Sequence, residues 1–182
     1  MSRSTNVFRK AYMLMVLTPI RPGEEDALRA YLEALRSGGE PGPLARLGRT
    51  HVARWLILDD LPHDPAAPHD HLDMPYLLFT SAFDGDRDSY LDELVVALAP
   101  EAPDIWGRCV GCPDPPAGAA LKRYLVHNQL DAGFFFAAYG EATVADVTRA
   151  LDKRTRLIAF VLRTQGMAPA RLQEEFVREF AP

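Results

Sequence analysis

The chain has 182 residues, 48% of them hydrophobic and 25% charged, with a formal net charge of −5. That length supports one sizeable core and that composition excludes a disordered chain. The acidic balance removes any electrostatic drive toward nucleic acid or an anionic membrane, so neither partner is expected.

The first segment, "MSRSTNVFRKAYMLMVLTPI", sets Arg3, Arg9 and Lys10 ahead of an apolar run at 11–17, as a secretory signal does. The run is short and no small-residue cleavage site follows it, so it reads as a strand buried on both faces and ended by Pro19. No stretch reaches the roughly 20 apolar residues of a membrane span. Two cysteines make no disulfide framework, and a reducing cytoplasm is the expected location. Leu28, Tyr31, Leu32 and Leu35 recur at helical spacing, with Glu24, Glu25 and Asp26 suited to the first turn. "THVARWLILDDL" and "MPYLLFTSAFDG" are rich in β-formers and are expected to pair antiparallel across a Pro-, His- and Asp-rich loop. Next, "RDSYLDELVVALA" puts Tyr90, Leu91, Leu94, Val95 and Leu98 on one helix face, with Asp84 or Asp86 as N-cap. "DIWGRCVGC" is expected as a fourth strand, closed by "PDPP".

Strand, helix, strand, strand, helix, strand is the order of the split βαβ, or ferredoxin-like, unit. The expected fold is therefore α+β: a four-stranded antiparallel sheet with both helices on one face, built from about 12–112 within a single domain. An extension over about 117–182 adds a helix at "AALKRYLVHNQ", a strand at "GFFFAAY", a helix from Thr143 to Gln165, and a last helix carrying Leu172, Phe176 and Phe180. Such a sheet leaves an apolar second face. We expect a homodimer to cover it, with the extension as the competing cover.

The strings "THVARWLILDD", "LLFTSAFDGDRDSYLDEL", "IWGRCVGCP" and "LKRYLVHNQ" resemble a group of bacterial proteins of poorly defined activity over about residues 50–130. The group carries a His-x-Ala-Arg-Trp strand and a Phe-Asp-Gly strand end before a Tyr-Leu-Asp helix. It is similar to the dimeric α+β barrel superfamily, which includes heme-using peroxidases and chlorite dismutases, heme-degrading monooxygenases and cofactor-free monooxygenases. The resemblance implies a small-molecule or heme-binding barrel with oxidoreductase or monooxygenase chemistry as one outcome. It fixes no reaction, because this architecture hosts many.

"HVARW" is the most informative stretch for a site. As a strand it sets His51, Ala53, Trp55 and Ile57 on one face and Val52, Arg54, Leu56 and Leu58 on the other. An arginine within an apolar strand needs a carboxylate, an anion or water, and Arg108 repeats the situation. Arg54 and Arg108, with Trp55 and Trp106, are candidates to frame an apolar pocket for a small hydrophobic or anionic ligand. The competing reading gives each arginine an acidic neighbour such as Asp84 and puts the tryptophans in the core. His51 and His127 are further ligand or acid–base candidates.

Cys109 and Cys112 stand as Cys-x-x-Cys, but Pro113, Pro115 and Pro116 deny them the helix that would depress a thiol pKa. A zinc site needs two more ligands, for which His69 and His71 have suitable spacing. Two ordinary buried thiols are the expectation, with their sulfurs diverging along an extended segment. No hydrolase, kinase or dehydrogenase motif appears. Three functions remain open: a small-molecule-binding protein, a non-catalytic dimeric accessory or interaction module, and a zinc protein.

Overall fold

In the computed structural model, which describes residues 5–37, 42–61 and 71–180, the run at 11–19 is a strand whose side chains alternate between two faces. It is β2 (Ala11–Pro19), preceded by the short β1 (Val7–Phe8) and followed by the helix α1 (Glu25–Ser37). β3 (Thr50–Leu58), β4 (Tyr76–Asp84) and α2 (Arg87–Ala97) come next, then α3 (Ala102–Ile105), α4 (Gly118–His127) and β5 (Gln129–Leu130). The sheet runs β1-β2-β4-β3, antiparallel throughout, with β5 also on β2.

Register fixes what each face carries. Leu14 stands opposite Ser81 and Val16 opposite Phe79, while Trp55 faces Phe79 from the other side. That face is wholly buried at Leu14, Val16, Leu77, Phe79 and Phe83, beneath Leu28 of α1, Tyr90, Leu91 and Leu94 of α2, and Leu121 and Leu125 of α4. Each such side chain contributes about 1.5–3 kcal/mol on burial. Phe83 and Tyr90 stack at 3.6 Å, and the Tyr90 hydroxyl is satisfied by Ser81 Oγ at 2.7 Å and Thr50 Oγ1 at 2.9 Å. Asp86 caps α2, accepting from Ser89 N at 2.9 Å.

Two sequence expectations fail here. The segment at 104–112 is not a strand: α3 runs into a 3-10 turn at Trp106–Arg108, and the chain then meets the end of β2 by one antiparallel bridge, Cys109 to Ile20, in which Val110 N donates to Pro19 O at 2.8 Å. Arg108 holds the helical conformation, donating to the carbonyl and carboxylate of Asp104 one turn back, both at 2.9 Å. The "FFFAAY" stretch is not a strand either. β2's outer edge is already taken, by β1 at Ala11 and Tyr12 and by β5 at Met15 and Val16, with Cys109 at its end.

The chain divides into two compact units, Met1–Val144 and Ala145–Pro182. The second consists of most of α5 (Val144–Arg163) and all of α6 (Pro169–Phe180). Its centre is an aromatic knot of Phe160, Phe176 and Phe180, with ring centroids 5.0–5.7 Å apart.

Candidate functional site on the open sheet face

The face of the sheet turned away from α1, α2 and α4 carries Met13 and Met15 from β2, Thr80 from β4, and Val52 and Arg54 from β3. Cross-strand register aligns them in rows, Met15 beside Thr80 beside Arg54, and Met13 beside Ala82 beside Val52. The chain leaving β5 then folds over the β2 side of this surface. Asn6, wholly buried, anchors that turn: its Oδ1 accepts from Ala132 N at 2.5 Å, and its Nδ2 donates to Asp131 Oδ1 at 2.9 Å. The result is an open-mouthed cavity of about 380 Å³ lined by Met13, Met15, Val52, Arg54, Thr80 and residues 132–135.

Arg54 supplies the charge. Its Nε donates to Thr80 Oγ1 at 3.3 Å, and among the described residues it meets no carboxylate. Arg108 by contrast pairs with Glu24 at 2.6 Å and Asp104 at 2.9 Å, and Arg46 with Glu101 at 2.9 Å. The Glu24 hydrogen bond is the main reason the Arg108 pKa is raised.

The structure separates the residues that the sequence analysis grouped. Arg54 lies on the open face, whereas Trp55, its neighbour in β3, points to the core and packs on Phe79 and Trp106 at 5.3 and 6.3 Å. Arg108 stays with its acidic partners beside α1. Both indole N–H groups are buried without a hydrogen-bond partner, a cost of about 1–3 kcal/mol each. A bulge between Thr50 and Val52 takes His51 out of strict alternation, and its Nε2 lies 2.7 Å from Asp84 Oδ1. Asp84 Oδ2 in turn accepts from Val144 N at 2.6 Å, satisfying the first N–H of α5. His127 is exposed at the C-terminal end of α4.

Cys109 and Cys112 are free thiols, and burial pushes each pKa up to about 11. His71 binds Asp60 at 2.8 Å, where the Leu72 N–H, the His71 ring and the Leu61 N–H hold that carboxyl down at about 2. His69 lies outside the described residues. Among the described residues no group of three His, Cys, Asp or Glu is placed to hold a metal ion, and no helix is long and apolar enough to cross a membrane.

The lining residues do not fit a heme held by a proximal histidine. Among the described lining residues Met13 and Met15 are the only axial-type donors, and His51 and His127 are not among them. Sequence reasoning missed Met13, Met15, Thr80, Asn6 and Phe134. Met13 and Met15 alternate with the wholly buried Leu14 and Val16, but all four are apolar, so the sequence carried no signal for which pair lines the open face. No known family, no curated protein and no solved structure matches this chain.

Proposed function

We propose that this chain is a small-molecule-binding protein whose ligand, an apolar body with one anionic group, lies on the open sheet face with its charge on Arg54. We assign the fold as ferredoxin-like, of the dimeric α+β barrel type, with a second copy of the chain over the same face. The neighbouring placement of β2, β4 and β3 supports that assignment, since it puts the first and third long strands side by side. The piecemeal cover on β2's outer edge takes the place of the fourth strand.

One observation carries the binding reading: a solvent-exposed guanidinium on an apolar strand, at the rim of a cavity with thioether and aromatic walls, whose hydrogen bond goes to a neutral hydroxyl. An arginine in such surroundings is most stabilised by an anion that it can grip through two parallel N–H bonds. Chemistry on the ligand is not part of the proposal: the described lining residues offer a cation, a hydroxyl and thioethers, and no acid–base pair is among them.

The second reading, a non-catalytic dimeric module, draws on the same face: Val52 is 61% exposed and Leu56 44%. The two readings separate on Arg54. The dye 1-anilinonaphthalene-8-sulfonate, an apolar body with one sulfonate, is titrated into the full chain and into Arg54→Met. A saturable fluorescence rise with one site per chain, weakened about tenfold or more in the variant, is expected from the loss of one charge-assisted contact. Equal affinity for both proteins would overturn the binding reading and leave the dimeric module.

A further inference from the structure

We infer that the open-face cavity takes an aromatic monocarboxylate: one ring, a short arm, and a carboxylate gripped by Arg54 and Thr80. This deepens the reading above and rests on it.

Charge sets the head group. Arg54 is the single cation among the described lining residues, so one negative charge is matched and a second would lie uncompensated against apolar walls. The Arg54 contact runs through Nε alone, to Thr80 Oγ1 at 3.3 Å, and its terminal nitrogens have no partner among the described residues. The fork they form fits a planar carboxylate, and Thr80 keeps its own proton to donate to the same anion. A phosphate monoester, near two charges at neutral pH, fits this single fork less well.

The walls set the body. Met13 and Met15 stand two residues apart on the same strand face, giving a floor of two polarisable thioethers that favour aromatic contacts. Phe134, at the mouth of the cavity, is 84% exposed, so a ring placed against it gains burial for both partners. Volume sets the size. About 380 Å³ holds roughly a dozen water-sized groups. That seats a ring with a two- or three-carbon acid arm in full, whereas a nucleotide or a long fatty acyl chain would extend out of the open mouth.

Isothermal titration of the full chain with 3-phenylpropanoate, 3-phenylpropanamide, octanoate and phenyl phosphate tests this, with the anilinonaphthalene dye as reference. The aryl acid is expected to bind at least tenfold tighter than its amide, and tighter than octanoate or phenyl phosphate. Arg54→Met should abolish the preference for acid over amide. Phe134→Ala should weaken the aryl acid several-fold while sparing octanoate. Octanoate or phenyl phosphate binding as tightly as the aryl acid would overturn the ligand class, as would an unchanged acid-to-amide ratio in Arg54→Met. Dye binding that depends on Arg54 without any acid binding would remove the class and keep the binding reading, whereas loss of both would remove the two together.

Discussion

Cys109 Sγ lies 3.3 Å from the Thr18 hydroxyl inside the core, and Arg21 Nε binds the Cys109 carbonyl oxygen at 3.2 Å. Extension of this segment would have turned the two sulfurs to opposite faces. The chain instead turns at Val110 and Gly111, where Gly111 takes a φ of +71° and Tyr124 Oη donates to Val110 O at 2.9 Å. That φ is cheap for glycine and costly for other residues. Desolvation then raises both thiols from 9.0 to about 11, Cys112 being raised further by its neighbour Cys109. Below pH 9 both thiols are protonated in the folded and unfolded chain alike, so they leave stability untouched. Between pH 9 and 11 the unfolded chain loses protons that the native state keeps, and stability falls. For the wholly buried Cys109 the loss integrates to about 2–3 kcal/mol, and the half-buried Cys112 adds less because solvent screens it. Cys109→Ala/Cys112→Ala is expected to flatten the stability profile above pH 9 at a cost of about 1–2 kcal/mol at neutral pH. Urea melts at pH 7, 9, 10 and 11 measure this, and parallel profiles for wild type and variant would refute it. Ligand binding should be unaffected, because the pair lies on the helix side of the sheet.

Gly140 shows how short pieces of chain hold the cavity wall in place. An added Cβ there would meet Phe8 Cδ1 at 2.8 Å and the Phe8 carbonyl oxygen at 3.2 Å, and Lys10 N already donates to Gly140 O at 2.9 Å. Phe136 packs edge-on against Phe8 at 5.2 Å, so residues 132–136 are pinned by Asn6 at one end and by this crossing at the other. Gly140→Ala is expected to cost about 1–3 kcal/mol by overpacking. It should also weaken dye binding, read from melts and titrations of one preparation, and a variant with unchanged melting would disprove the close approach. None of this was legible in the sequence. What could be read were the long periodic elements: β2, β3 and β4 by their β-rich runs, and α1 and α2 by helical spacing. "DIWGRC" and "FFFAAY" misled because local propensity looks like a strand wherever aromatic and branched residues cluster, while an edge to pair with is a tertiary matter. Asp104 and Arg108, four apart, held the helical signal in the first case. The site was legible only in part. Arg54 stood out as a charge on an apolar strand, and alternation alone sets it on the opposite face from Trp55. Which face of β2 stays open depends on where the helices pack, so Met13 and Met15 looked like core.

The first unit as a whole leaves one surface that an antiparallel sheet with helices on a single face would ordinarily fill with polar residues. Met13, Met15, Leu17, Val52, Leu56 and Leu78 occupy it instead, and residues 132–135 cover only its β2 side. Val52 and Leu56, both on the edge strand β3, stay more than 40% exposed. A second copy laid sheet to sheet about a two-fold axis is the economical cover, since an isologous contact presents the same apolar strip from both chains. A stable contact of this kind needs about 800 Å² per partner, more than the roughly 400 Å² footprint of three nine-residue strands, so the contact would have to take in the flanking loops as well. The competing surface is on α5, where Val147, Leu151, Ile158 and Leu162 are also more than 40% exposed. The two are told apart by placing a charge on each. Light scattering at micromolar concentration is expected to report a dimer for the wild type and for Leu151→Lys, and a monomer for Leu56→Lys, because that change removes an apolar contact and sets a second cation beside Arg54 on the same strand face. A monomeric wild type would remove the dimer, and dissociation by Leu151→Lys with Leu56→Lys still dimeric would move the interface to the helical hairpin. A sheet-to-sheet dimer also roofs the cavity beside Arg54. Dye affinity should therefore weaken on dilution below the dimer's dissociation constant and in Leu56→Lys, although Leu56 is not among the residues lining the cavity.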